Sequence, residues 1–314
     1  MNDAALMEDP IRSKIRTLPF WQGPLTLTSL IGGLCNKNFV AENQSRKFVV
    51  RVGEDIPVHG ISQASVENAM RAAAGIEVSP ALRYANSGIS ISDFIDGRHL
   101  LPSDLENEMV LAGLVSRLRE LHQSKVDIGP LTYFWPFQVV RKYVRFCRDR
   151  SSLSNAELDL LSECASSLEH LVSPFLPVFT HNDVVPQNAM LDVNGRVYLI
   201  DWDYGAYGHP FFDLAGITAN ADIDAGIDAK VLELYAGSAN SVIWKQFRIF
   251  KLIVNMREML WGAVQELTSK LDSERVEAGM ASIYPDEERG YAGYTELNRK
   301  RFHRNLAEFK TLYG

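Results

Sequence analysis

Between residues 24 and 52 the chain runs in short apolar stretches cut by turn residues. LTLTSLI, KNFVAE and KFVVRV each read as a strand, parted by the glycine-rich GGLCN and by NQSR. The period then changes. SQASVENAMRAAAG reads as a helix that Ser62 can cap and Gly75 ends. Residues 81–95, ALRYANSGISISDFI, read as two more strands around Asn86–Gly88, and DGRHLLPSD as a polar loop. From about residue 104 the spacing is helical: Leu111, Leu114, Val115, Leu118 and Leu121 share one face. Further helices are predicted over about 137–149, 155–172, 225–238, 241–270 and 295–312, and residues 1–23 form a polar lead-in with room for one more. One island breaks this helical part, FTHNDVVPQNAMLDVNGRVYLIDWDY, residues 179–204.

Strands first and helices after make an α+β chain rather than an alternating one. The boundary is placed in the polar loop, giving a β-rich unit over 1–96 and a mostly helical unit over 97–314. A length of 314 residues accommodates two unequal units and a full core.

The island asks why two apolar runs, AML and VYLI, end in His181, Asp183 and Asn188 on one side and Asp201 and Asp203 on the other. Asn194–Gly195 is a two-residue hairpin signal. With those residues as the loop, Val193 faces Arg196 and Asn188 faces Asp201. Cross-strand neighbours have Cβ atoms about 4.5–5.5 Å apart. An amide oxygen beside a carboxylate suits magnesium, which takes few ligands from protein and keeps water and phosphate oxygens for the rest. The spacing His181-Asn182-Asp183 through Asn188 also fits the kinase catalytic loop H-x-D-x-x-x-x-N. In that pattern Asp183 accepts the substrate hydroxyl proton, and Asn188 and Asp201 hold magnesium on the ATP phosphates, with Asp203 as further support. His181 is expected to brace the loop, and Asp213 in HPFFDLA to tie its backbone as a buried carboxylate.

Charge and cysteines narrow the setting. A net charge of −7 argues against a general nucleic-acid binder. Cys35, Cys147 and Cys164 match no zinc spacing, so a reducing cytoplasm with free thiols is expected. MNDAALMEDPIRSK has no apolar leader, and no run of about 18 apolar residues predicts a membrane span. Oligomeric state is not legible.

FTHNDVVPQN followed by YLIDWDYGAYGHPFFDLA resembles the choline/ethanolamine kinase family, especially its bacterial members, with the aminoglycoside phosphotransferases as more distant relatives. The resemblance covers nearly the whole chain and implies a protein-kinase-like two-lobe fold. GGLCNKNFV resembles the phosphate loop, which implies that Gly32, Gly33 and Asn36 lie over the ATP phosphates. Arg51 in FVVRV stands where protein kinases carry Lys, and is implied to pair with phosphate and with Glu67. The backbone of Asp93 and Ile95 is implied to meet adenine. Tyr204, Trp261 in LWGAVQE and Tyr294 in GYAGYTELNRKRF match the positions that hold the acceptor, where aromatic faces suit a quaternary ammonium and Asp203 adds charge. Two departures bear on the acceptor. Glu258 stands where the family often has a second aromatic residue, and the segment 271–289 is extra.

The expectation is an ATP- and magnesium-dependent kinase of a small amino alcohol, choline first, with ethanolamine, thiamine or an aminoglycoside as alternative acceptors. The rivals are a metal-dependent hydrolase using His181, Asp183, His209 and Asp213, and a pseudokinase binding module.

Overall fold

A computed structural model describes residues 9–30, 36–130, 132–221, 223, 226–269, 271, 276 and 290–314. Strands β1 (Leu25–Leu30), β2 (Lys37–Asn43), β3 (Arg46–Val52), β4 (Leu82–Asn86) and β5 (Ile89–Asp93) form one antiparallel sheet in the order β1-β2-β3-β5-β4. Alternation places Phe39, Ala41, Phe48, Val50, Ile89 and Ile91 on one buried face, where Ile15 of α1 (Pro10–Arg16) covers them. Arg12 and Arg16 of α1 donate to the edge carbonyls of Leu27 and Leu25, each at 2.7 Å, and so close the open side of β1. Between β4 and β5 the two-residue loop Ser87–Gly88 has φ of 52° and 79°, a turn the sequence signals at that place.

Helix α2 (Gln63–Gly75) starts after Ser62, but the Ser62 side chain does not cap it. Asp55 does so from the preceding loop, accepting the Gln63 N–H at 2.7 Å. The expected polar loop after β5 contains a short strand, β6 (Gly97–His99). It joins β8 (Ala189–Asp192) and β9 (Val197–Leu199) in a three-stranded sheet. Strands β7 (Val178–Thr180) and β10 (Ala206–Gly208) pair separately.

The remaining chain is helical: α3 (Glu108–Gln123), α4 (Pro136–Cys147), α5 (Asn155–Glu169), α6 (Pro210–Ala219), α7 (Gly226–Ala236), α8 (Ser241–Thr268) and α9 (Gly290–Tyr313). The second, larger cluster of buried apolar side chains lies here. Its axis is α8, buried on nearly every face from Phe247 to Gln265 and packed against α4, α6 and α9. Among the described residues no helix is long and apolar enough to cross a membrane. Cys147 and Cys164 are free thiols, and Cys35 lies outside the described residues, as does most of the segment 271–289.

The hairpin register differs from expectation by one residue. Ala189 faces Leu199 and Leu191 faces Val197, so the loop is Val193-Asn194-Gly195 rather than Asn194–Gly195. The cause is Asp192. Its Oδ1 accepts the N–H groups of both Asn194 and Arg196 at 2.8 Å, and Gly195 takes φ of 82° to close the wider turn. Asn188 therefore lies opposite Ile200, whose N–H it accepts at 2.9 Å, and Asp201 follows at φ of 62°.

Candidate active site

The loop between β7 and β8 is held from beneath by one carboxylate. Asp213, in the first turn of α6 and wholly buried, accepts the backbone N–H of His181 at 2.8 Å and of Asn182 at 2.7 Å. His122 of α3 contributes a third contact, with Nε2 at 3.0 Å from Asp213. Burial of a carboxylate is tolerated because the donors compensate its lost hydration. The His181 ring meets the Ile200 carbonyl at 2.8 Å and packs on Trp202, while Asn182 donates to the Tyr204 carbonyl at 2.9 Å. Both side chains thus join the loop to the segment after β9. Gly216 of α6 lets the helix approach the loop, since a Cβ there would stand 2.6 Å from the Val184 carbonyl oxygen.

On this base Asp183 points upward with 21% of its side chain exposed. Each carboxylate oxygen has its own donor. Asn188 Nδ2 reaches Oδ2 at 3.0 Å and also the Asp183 carbonyl at 2.9 Å. Arg257 Nη1, from α8, reaches Oδ1 at 2.8 Å. Turning its amide nitrogen to Asp183 leaves the Asn188 oxygen for another partner.

Loss of hydration around Asp201, and then the charge of Asp203, push its carboxyl up to about 7, against the pull of the Arg51 charge. Asp203 already has partners: Arg51 of β3 on Oδ1, and Asn36 Nδ2 on Oδ2 at 3.0 Å. The other nitrogen of Arg51 donates to Gln63 of α2 at 3.1 Å. Arg51 thus joins Gln63 and Asp203 rather than Glu67, which accepts the Gly88 N–H at 2.9 Å from one turn further along α2. The Asn36 oxygen is buried without a hydrogen-bond partner. Gly32 and Gly33 lie outside the described residues. Asp93 closes β5 with its N–H on the Ala81 carbonyl at 3.0 Å and its side chain on Arg83 and Arg46, and Ile95 follows half-buried.

The expected aromatic residues on α8 and α9 lie beside unexpected groups. Trp261 sits edge-on to Tyr294 and Tyr291, with ring centroids 5.6 and 5.9 Å away. Tyr294 donates to Glu258 Oε2 at 2.6 Å. The other Glu258 oxygen pairs with Arg257 Nη1, the nitrogen that also holds Asp183. The face of Tyr204 is covered by Arg257, whose guanidinium carbon is 4.4 Å from the ring centre. Burial pushes Glu258 up from the usual carboxylate range, against the pull of Arg257. Burial, then the Arg257 charge, lower His59 to about 4, and its Nδ1 meets the Tyr143 hydroxyl at 2.7 Å. A small cavity between the loop, α6 and α8 is lined by Asp183, Glu258, Asn182 and Asn220.

The sequence reading names neither Arg257, Gln63, Tyr143, Tyr291 nor His59. One signal was available for Arg257: the charged pair Arg257–Glu258 interrupts the apolar run of α8. The hydrolase set does not assemble. His209 Nδ1 accepts the Phe211 N–H at 3.1 Å to cap α6, Asp213 is saturated by the loop, and His181 faces a carbonyl. Among the described residues no group of three or more His, Cys, Asp or Glu side chains stands ready to hold a metal.

Residues 26–249 match the model of the phosphotransferase enzyme family. Protein LicA of Haemophilus influenzae is 26% identical over 250 residues, which cover 76% of this chain and 73% of that protein. Among solved structures, choline kinase LicA from Streptococcus pneumoniae superposes with a TM-score of 0.72 at 18% identity, covering 96% of this chain and 98% of that one. A choline/ethanolamine kinase family protein from Mesorhizobium loti does so with a TM-score of 0.70 at 22% identity, covering 95% and 92%. The N-terminal antiparallel sheet and the helical remainder are thus the kinase-like arrangement, and the chain belongs to the phosphotransferase enzyme family.

Proposed function

We propose that the protein transfers the γ-phosphate of ATP to the hydroxyl of a small amino alcohol, choline first, with residues 1–96 binding nucleotide and 97–314 binding the acceptor. The observation that carries this reading is the seat of Asp183. It is a part-exposed carboxylate with both oxygens oriented, and it lines a small cavity with Glu258, which the Tyr294 hydroxyl holds. In this position Asp183 orients the acceptor hydroxyl and receives its proton.

The residues opposite fit a hard divalent cation. Asn188 and Asp201 would hold magnesium, because the amide oxygen is turned away from Asp183 and the Asp201 carboxyl is crowded by the Asp203 and Asp183 charges, which a divalent cation would offset. Asp203, tied to Arg51 and Asn36, supports the metal from outside that pair. A magnesium ion held there would supply neutralisation of the charge developing on the phosphate oxygens. Arg51 and Asn36 face the phosphates, and the Ile95 backbone beside Asp93 meets adenine. Most of the rate enhancement then comes from positioning and charge neutralisation.

Cation recognition falls to Trp261, Tyr294 and Glu258, with Tyr204 joined to them through Arg257 and Asp203 adding charge. Ethanolamine is the second reading, favoured by two observations: Arg257 already covers the face of Tyr204, and Glu258 can accept from an ammonium that carries N–H groups. An acceptor screen by ADP release tests both. Choline turnover is expected. ADP release with another alcohol and none with choline would overturn the first choice. Asp183→Ala is expected to abolish turnover while nucleotide still binds; surviving turnover would remove Asp183 from the mechanism.

A further inference from the structure

We propose that Arg257 is the positioning residue for the Asp183 carboxylate, setting it for transfer from the α8 side. The inference rests on the kinase reading with Asp183 as base, and assigns a residue that this reading does not require.

Three observations point to it. First, the contact has a direction. Asn188 holds Oδ2 from its own loop, and the Asn188 N–H group also bonds the Asp183 backbone, so this bond moves with the loop. Arg257 holds Oδ1 from a different element, the central helix. Together they fix the plane of the carboxylate with respect to the core, which a single-loop contact does not do. Second, Arg257 is itself immobilised. Its side chain is 2% exposed, its face lies on the Tyr204 ring, and its Nη1 is shared with Glu258, which in turn is held by the Tyr294 hydroxyl. The chain Asp183–Arg257–Glu258–Tyr294 therefore links the base to the aromatic wall of the acceptor site by consecutive polar contacts. Third, the arrangement is poor as a device for stability. A buried guanidinium loses hydration, and here Nε and Nη2 are buried without a hydrogen-bond partner. An apolar side chain would suit this turn of α8 better. The geometry toward Asp183 is what the arginine adds.

The test uses the full chain and steady-state ADP release, with choline as acceptor, or ethanolamine if the wild type turns over only that. Arg257→Met keeps length without charge, and Arg257→Lys keeps charge without the planar fork. Loss of orientation at the base is expected to lower kcat about 100-fold in Arg257→Met, since misplacement by about 1 Å costs roughly that factor. The KM for ATP should stay within about twofold of the wild type, and Arg257→Lys should recover about tenfold of the lost kcat. Wild-type kcat in folded Arg257→Met overturns the proposal, as does a fall in kcat matched by an equal rise in the KM for ATP. Should Arg257→Met not fold, Arg257→Lys decides: kcat at least about fivefold below wild type supports the assignment, and unchanged kcat overturns it. A wild type that releases no ADP with any amino alcohol, or an active Asp183→Ala, fails the kinase reading instead.

Discussion

Residue-scale chemistry divides according to where a side chain finds its partner. Asp183 and Asn188 are five positions apart, and their spacing is legible because one loop sets their geometry. Arg51 and Asp203 are 152 positions apart, and no local pattern joins them. Glu67 was the expected partner of Arg51, one turn of α2 too far along; Gln63 takes that place. Arg51 is therefore tied to both α2 and Asp203, and its removal should act on nucleotide more than on acceptor. Arg51→Met is expected to raise the KM for ATP about tenfold or more, the loss of a charged bidentate contact, with the acceptor KM within about threefold. Steady-state kinetics with each substrate varied in turn measure the split. Asp213 carries a different kind of load. Asp213→Asn keeps the shape but lowers the acceptor capacity for three buried donors, and should cost about 2–4 kcal/mol of stability, read from urea midpoints.

Elements were legible where their period was clean and illegible where burial removed it. Strands β2 and β3 alternate, turn residues bound the other strands of the N-terminal sheet, and α3 has an apolar stripe, so all could be read from the sequence. Helix α6 is apolar on nearly every side, and β6 and β10 have three residues each, so none of them has a period to detect. The hairpin register failed for a finer reason. The Asn194–Gly195 signal was read as the loop itself, whereas the Asp192 carboxylate gathers two further N–H groups and widens the turn by one residue. Asn188 thus lies opposite Ile200, and Asp201 stands one residue past it at a backbone turn rather than in the cross-strand register. Helix α6 also sets the height of the Asp183 loop. Gly216→Ala would place a methyl 2.6 Å from the Val184 carbonyl oxygen, so the loop or the helix must shift. A fall in kcat of about tenfold or more is expected, from displacement of the adjacent Asp183, with nucleotide affinity little changed. Equilibrium nucleotide binding alongside turnover separates that outcome from general unfolding.

Across the whole molecule the division into a β-rich front and a helical back was legible because strand and helix periods occupy separate stretches of the chain. The order in which the helices pack was not, since α8 contacts α4, α6 and α9 through faces with no distinguishing pattern. That packing has a consequence for pH. His209 caps α6 as an acceptor, stacked on Phe250 at 4.1 Å, and burial lowers its pKa from 6.5 to about 3. His59, beside Tyr143, is lowered to about 4. Both stay neutral in the folded protein while the unfolded chain takes up their protons near pH 6.5. Stability is therefore fully present above about pH 6.5 and falls as pH drops from there toward 3–4, because the unfolded state binds more protons over that window. Each tenfold difference in proton affinity between the folded and unfolded chain is worth about 1.4 kcal/mol, so the loss reaches a few kcal/mol for His209. Melting temperatures recorded from pH 7.5 down to pH 5 should fall steadily. Asn also caps helices well and does not titrate, so His209→Asn should flatten the slope while keeping α6 capped. An equal slope in His209→Asn would place the acid sensitivity elsewhere.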